Sequence, residues 1–185
     1  MKNNFTKYVK SDCYRYYASS RLKTIIYAFF KNPIFRFQFI LRMCNKENSK
    51  FLRFFGKLFY HFNKTRRYIQ IPPNTKIGFG LCIAHGIGIV INPTAIIGDN
   101  FTIYQFSTIG SQKGKAAIIG NNVYIGPNVC IVEDVHIGDN VTIGAGSVVV
   151  KDLPDNATAV GNYAKVINYE SPGRFIKNKW NHVDK

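Results

Sequence analysis

Two patterns of apolar residues divide this chain. From residue 71 onward aliphatic side chains recur every six positions: Ile71, Ile77, Ile83 and Ile89, then Ile91, Ile97, Ile103 and Ile109, and after a longer gap Ile119, Ile125, Ile131, Ile137, Ile143 and Val149. Glycine follows the aliphatic residue at 78, 98, 110, 120, 126, 138 and 144, and a small or β-branched residue precedes it by two in most units, as at Ala95, Ser107, Val123 and Val141. A helix advances about 100° per residue, so a period of six would smear these isoleucines around its surface. Short strands joined by tight turns keep them inward, with glycine allowing the turn. Before residue 71 the period changes. Leu22, Ile25, Ile26, Phe29 and Phe30 recur at three and four residues, which predicts a helix capped by Ser20. Pro33 suits the first turn of a second helix. Phe51, Phe54, Phe55, Leu58, Phe59 and Phe62 form a third stripe with lysines and arginines opposite, so these helices carry apolar faces that need a partner surface.

Charge breaks at the same point. Residues 1–70 hold 16 Lys/Arg against Asp12 and Glu47, whereas residues 71–185 hold 9 against 8; the first part also carries 18 of the 27 aromatic residues. We therefore divide the chain into a basic, aromatic-rich helical region (1–70), a repeat (71–167) and a C-terminal tail (168–185). Cys13, Cys44, Cys82 and Cys130 are far apart and form no CxxC pair, which argues against a zinc knuckle or redox motif and for a reduced, cytosolic chain. The N-terminus lacks the apolar run of a secretory signal. The longest apolar stretch, "IIYAFFKNPIFRFQFIL", is cut by Lys31, Pro33 and Arg36, too broken for a membrane span. The expected location is cytoplasmic. A peripheral position at the inner face of the membrane follows if the basic helices, including Arg53, Lys57, Lys64, Arg66 and Arg67, dock on anionic lipid. Solvated charge with the apolar stripes packed between subunits is the plainer reading. No nucleic-acid motif accompanies the basic residues.

The hexapeptides resemble those of the left-handed parallel β-helix of hexapeptide-repeat acyltransferases, in which three hexapeptides make one triangular coil. Residues 71 to about 160 would then give about five coils. "IPPNTKIGFGLCIAHGIGIVINPTAIIG", "IGAGSVVVKDLP" and "GNYAKVI" resemble the serine acetyltransferase group, and within it the branch associated with capsule and surface-polysaccharide O-acetylation. This resemblance implies transfer of acetyl from acetyl-CoA to a hydroxyl. It also implies a homotrimer or a dimer of trimers with sites between neighbouring chains.

It makes His85 the general base. A hydroxyl attacks a thioester poorly unless its proton leaves as it attacks, and imidazole titrates near neutrality. A satisfied structural histidine at a coil corner is the alternative. His136 is expected to point outward, and His61 and His182 lie outside the repeat. The three-histidine zinc site of γ-class carbonic anhydrases, which use the same coil, does not fit, because only His85 and His136 lie in coils; no metal is expected.

The resemblance also supplies positions for the two substrates. Pro127 and Ala145 would meet the pantetheine arm of acetyl-CoA, and Val150 and Lys151 its adenine end. On the acceptor side, serine acetyltransferases carry aspartates where this chain has Asn32, Gln70 and Ala84. The histidine of their active-site loop falls at Ala116, with Lys115 standing in for an arginine. Serine needs a carboxylate for its ammonium; a sugar needs only hydrogen bonds. The expected acceptor is thus a sugar hydroxyl of a surface glycan, with serine O-acetylation as the alternative within enzymes and a non-catalytic trimeric scaffold as the alternative outside them.

Overall fold

The computed structural model describes residues 4–63 and 68–181; Lys64, Arg66, Arg67 and His182 lie outside them. Four helices come first, α1 (Phe5–Tyr17), α2 (Leu22–Lys31), α3 (Pro33–Met43) and α4 (Lys50–Asn63). The rest is a parallel β-helix. Its strands are β1 (Lys76–Ile77), β2 (Cys82–Ile83), β3 (Val90–Ile91), β4 (Ile96–Ile97), β5 (Thr102–Ile103), β6 (Thr108–Gly110), β7 (Ile118–Ile119), β8 (Tyr124–Ile125), β9 (Cys130–Val132), β10 (His136–Ile137), β11 (Thr142–Ile143), β12 (Val148–Val149) and β13 (Thr158–Val160). They form three sheets, β1-β4-β7-β10, β2-β5-β8-β11-β13 and β3-β6-β9-β12, so these strands make four complete coils and part of a fifth. An antiparallel strand, β14 (Lys165–Asn168), closes the second sheet on β13.

The period-six residues line the interior. Ile77, Ile97, Ile119 and Ile137 are in register along the first face, Ile83, Ile103, Ile125 and Ile143 along the second, and Ile91, Ile109, Ile131 and Val149 along the third. All are buried. The glycines act differently from the sequence expectation. Those at 78, 98, 120 and 138 do not have positive φ; the left-handed corner residues of these coils are Asn100, Asn122, Asn140 and Asn156, whose side-chain amides form a ladder at 2.9–3.2 Å. A Cβ at Gly98 would instead sit 2.7 Å from the backbone of Gly120 in the next coil, so glycine is needed there for close approach between coils.

The helices fasten onto the first coil through buried polar side chains. Arg42 pairs with Asp12 at 2.9 and 3.1 Å and donates to the carbonyls of Ile77 and Gly78 at 2.8 and 2.7 Å. Asp12 accepts the Leu81 N–H and Ser11 Oγ the Gly80 N–H. Gln38 donates to the Leu81 carbonyl, and the Tyr16 hydroxyl meets both backbone groups of Ile83. Burial pushes the Asp12 carboxyl up, against the pull of Arg42 and the Leu81 N–H. The tail also joins in. Trp180 is buried, its backbone N–H donates to Asn100 Oδ1, and Arg15 donates to the Lys177 carbonyl.

Pro33 opens α3 as expected, but Ser20 does not cap α2. A left-handed residue at Ala18 ends α1, and α2 starts at Leu22 with Arg21 in the cap position and no side-chain cap. The stripe on α4 also departs from the usual arrangement, in which the apolar face packs inward. This helix docks through buried Gly56, close against Met43, and through the Tyr60 hydroxyl, which donates to the Ile71 carbonyl at 2.8 Å, while Phe51, Phe54 and Phe62 are exposed.

Removing one member of the buried ion pair strands the other. Arg42→Met should destabilise the protein by about 3–5 kcal/mol, and adding Asp12→Asn to it should recover part of that loss. Denaturant unfolding of the two variants measures both; equal loss in the single and double variants would mean that the charge of Asp12 is not what Arg42 offsets.

Candidate active site

His85 stands at the corner that follows β2. Its φ of 53° is left-handed, unusual for a non-glycine residue, and its side chain is exposed. Among the described residues no protein group hydrogen-bonds the imidazole; its neighbour is the Tyr104 ring, with centroids 5.8 Å apart. This is not the satisfied, packed histidine of the structural alternative. His136 points outward from β10 and His61 is exposed, as expected for the first. The described residues contain no group of three His, Cys, Asp or Glu side chains able to hold a metal ion.

Register defines what shares the edge with His85. Two residues past the aligned Ile83, Ile103, Ile125 and Ile143 lie His85, Gln105, Pro127 and Ala145. Pro127 and Ala145 therefore fall on the same corner as His85, two and three coils further along. That edge is open at its far end, where Ala145 and Gly146 are exposed. Val150, Lys151 and Lys115 lie elsewhere. They follow the third face, after β12 and after β6, at the next corner of the triangle, and both lysines are exposed. A single chain does not bring them to His85.

The other side of this corner is built from the helices. A Cβ on Gly86 would meet Ile34 on α3 and Ile69 beside Gln70 at 3.2 and 3.1 Å, so the N-terminus of α3 and the 69–70 segment both flank the histidine's corner. Gln70 is exposed and pairs through its backbone with Val90, while Ala84 is half-buried beside His85. Asn32 is the N-cap of α3. Its Oδ1 accepts the N–H groups of Ile34 and Phe35, both at 3.0 Å, and its amide nitrogen faces the Tyr17 hydroxyl at 3.4 Å. An aspartate would cap equally well and keep a second carboxylate oxygen for a ligand; the amide puts a donor there instead.

Sequence reasoning missed an aromatic ladder. The rings of His85, Tyr104, Tyr124 and Phe175 follow one another at 5.8, 5.3 and 4.9 Å. Tyr104 and Tyr124 sit on the outer side of neighbouring coils, and the available signal was large aromatics at outward positions, one just past β5 and one on β8. Burial, the neighbouring Tyr104 and their mutual hydrogen bond push the Tyr124 hydroxyl up to about 12.

The comparisons with known proteins agree with the fold. Residues 116–151 match the family model for the bacterial transferase hexapeptide (six repeats). A serine acetyltransferase of Synechococcus elongatus is 41% identical over 115 residues, 60% of this chain and 47% of that protein. The chain thus spans about half the length of that relative. Among solved structures, soybean serine acetyltransferase aligns over 89% of this chain and 69% of its own with a TM-score of 0.75 and 26% identity. The Neisseria gonorrhoeae serine acetyltransferase in complex with serine aligns over 89% and 69% with a TM-score of 0.67 and 30% identity. These relatives bear on serine; none of them supports the surface-polysaccharide branch expected from the sequence.

The tyrosine pair gives a direct test of the ladder. In Tyr104→Phe the Tyr124 hydroxyl loses a negative neighbour and a hydrogen-bond partner but stays buried, so its pKa should fall from about 12 yet remain above the ordinary value of 10. Titration of the Tyr124 ring resonance by NMR measures the change, and an unmoved titration would mean that burial alone sets it.

Proposed function

We propose that this chain, which belongs to the hexapeptide-repeat transferases, is an acetyl-CoA-dependent O-acetyltransferase with His85 as general base. The observation that carries the reading is the exposed imidazole, without a hydrogen-bond partner among the described residues, at a left-handed corner on the same edge as Pro127 and Ala145. The acceptor hydroxyl gives its proton to His85 as its oxygen attacks the thioester carbonyl. The carbon–sulfur bond then breaks, and the departing CoA thiolate takes that proton back. Pro127 and Ala145 line the path of the pantetheine arm; Val150 and Lys151 meet the adenine end, where the Lys151 ammonium suits a phosphate. An assembly of at least three chains completes the site. Its support is that Lys115 and Lys151 occupy a different corner from His85, so a neighbouring chain has to bring them near it.

The relatives support serine as acceptor, which makes it the first reading here. A second reading, a neutral sugar hydroxyl, is favoured by one specific observation. Between Asp12 and Asp99 the sequence contains one acid, Glu47, and Asn32, Gln70 and Ala84 supply no carboxylate around His85. The Tyr104 ring beside His85 adds a flat apolar surface on which a pyranose face can rest. Lacking a charge-assisted hydrogen bond costs a bound ammonium roughly 1.5–3 kcal/mol, about ten- to over a hundredfold in specificity.

His85→Ala should leave the fold intact, because the side chain packs little, and lower acetyl transfer by at least about a hundredfold. Thiol release from acetyl-CoA follows the rate; a near-normal rate would remove His85 from the role of base.

Asn32→Asp keeps the helix cap and restores a carboxylate oxygen, so it should raise kcat/KM for serine by about tenfold or more while leaving a sugar acceptor unimproved. The wild type and this variant are compared on serine and on a panel of sugars and nucleotide sugars at equal acetyl-CoA, with the acetylated product identified by mass. Efficient acetylation of serine by the wild type, with no gain in the variant, would show that the ammonium is recognised without this position and would retire the sugar reading.

A further inference from the structure

Helix α4 presents its apolar side to solvent. Phe51, Phe54 and Phe62 are 74%, 64% and 63% exposed, and Leu58 and Phe59 are also exposed. At about 100° per residue these side chains form one stripe, and Lys50 and Lys57 fall along its border. Helix α2 repeats the arrangement, with Leu22 and Phe30 at 73% and 70% exposure and Lys23 and Lys31 beside them. Both helices pack on α3. Phe29 of α2 and Phe59 of α4 line one groove over Arg36, Phe39 and Met43, so the two stripes border the same opening.

Charge selects the occupant. From residue 13 to residue 98 the chain has 14 Lys/Arg and one acid, Glu47. A second copy seated on this face would bring a cationic rim against itself with no acid to offset it. An anionic surface complements the rim, and its acyl boundary accepts the aromatic stripe. No helix among the described residues is long and apolar enough to cross a membrane, so the fitting mode is a helix lying in the interface plane. We infer that the exposed faces of α2 and α4 dock the protein on an anionic phospholipid bilayer, by electrostatic attraction of the rim and insertion of the phenylalanines.

The test uses the purified full chain and phosphatidylcholine vesicles with and without phosphatidylglycerol, read by co-sedimentation at low and raised salt. Binding should require phosphatidylglycerol and weaken as salt rises. Lys50→Gln with Lys57→Gln should lower affinity by about thirtyfold, the equivalent of about 1 kcal/mol for each of two cations. Phe51→Ser with Phe54→Ser and Phe62→Ser should lower it by more than about tenfold with the rim intact, since each phenylalanine loses apolar burial in the bilayer. No binding by the intact chain at low salt overturns the proposal. So does unaltered binding by the serine variant, which would reduce the effect to general attraction of a polycation. A smaller assembly in light scattering of the serine variant, with its unfolding transition unchanged, overturns it as well, because a second copy would then be what covers the face. If the serine variant fails to fold by circular dichroism, the glutamine variant decides, since it alters surface charge alone.

Discussion

A parallel β-helix has an open edge at its first coil, and closing that edge is the constraint from which the rest of this structure follows. Along the second face alternate residues bond forward and backward. Cys82 and Ala84 donate forward to Phe101 and Ile103 in the next coil. The backbone groups of Gly80, Leu81 and Ile83 point the other way, where no coil exists. Left bare, such a row costs about 1–3 kcal/mol per buried unsatisfied group and invites pairing with another chain. Here Ser11, Asp12, Arg15, Tyr16, Gln38 and Arg42 take the place of the missing coil, from α1 and α3. On the third face the 69–71 segment does the same with its own backbone, Gln70 pairing with Ile89 and Ile91.

That closure explains why the helices sit where they do and why the candidate site sits beside them. The side chains that cap the edge come from α1 and α3 and bond the coil's backbone directly, so both helices are held against the first coil. The N-terminus of α3 and the segment after α4 then arrive at the corner after β2, and the same contacts that end the solenoid bring Asn32 and Gln70 to the neighbourhood of His85. With Ile83 held by Tyr16 behind and Ile103 ahead, the strand leading to His85 is fixed on both sides. A left-handed backbone at a non-glycine residue is strained, and such strain persists when its surroundings are held this way.

Legibility in the sequence follows the distance over which each interaction acts. The period of six is a local signal, and it led directly to short strands around an isoleucine core; the three faces came from the resemblance to hexapeptide-repeat acyltransferases. Pro33 is equally local. Ser20 failed because a cap is decided by where the preceding turn ends, and a left-handed Ala18 carries no sequence warning. The glycines were found for the wrong reason: their partners are backbone atoms of the next coil, about 20 residues away. The edge closure was not readable at all. Asp12, Arg15 and Arg42 look like ordinary members of a basic helical region, and only contacts across 30 to 162 residues show that they are buried. Tyr104 and Tyr124 were passed over because outward positions of a coil carry no periodic demand.

Structural and chemical demands on one residue can be met by side chains that differ in what they leave for a ligand. The cap of α3 needs a single oxygen aimed at two N–H groups, and Asn32 provides it at 3.0 Å to each. Aspartate meets the same requirement with one of its two oxygens. The helix cap is therefore indifferent to the choice, while the second position of the side chain, acceptor in one case and donor in the other, faces the Tyr17 hydroxyl. A solenoid whose edge closure fixes these positions can exchange a carboxylate for an amide without disturbing the cap, the coil or the base. This is why a likeness to serine acetyltransferases in backbone does not by itself fix the charge at such a position. It is also why the acceptor has to be argued from the functional groups of Asn32, Gln70 and Ala84, which the course of the chain does not determine.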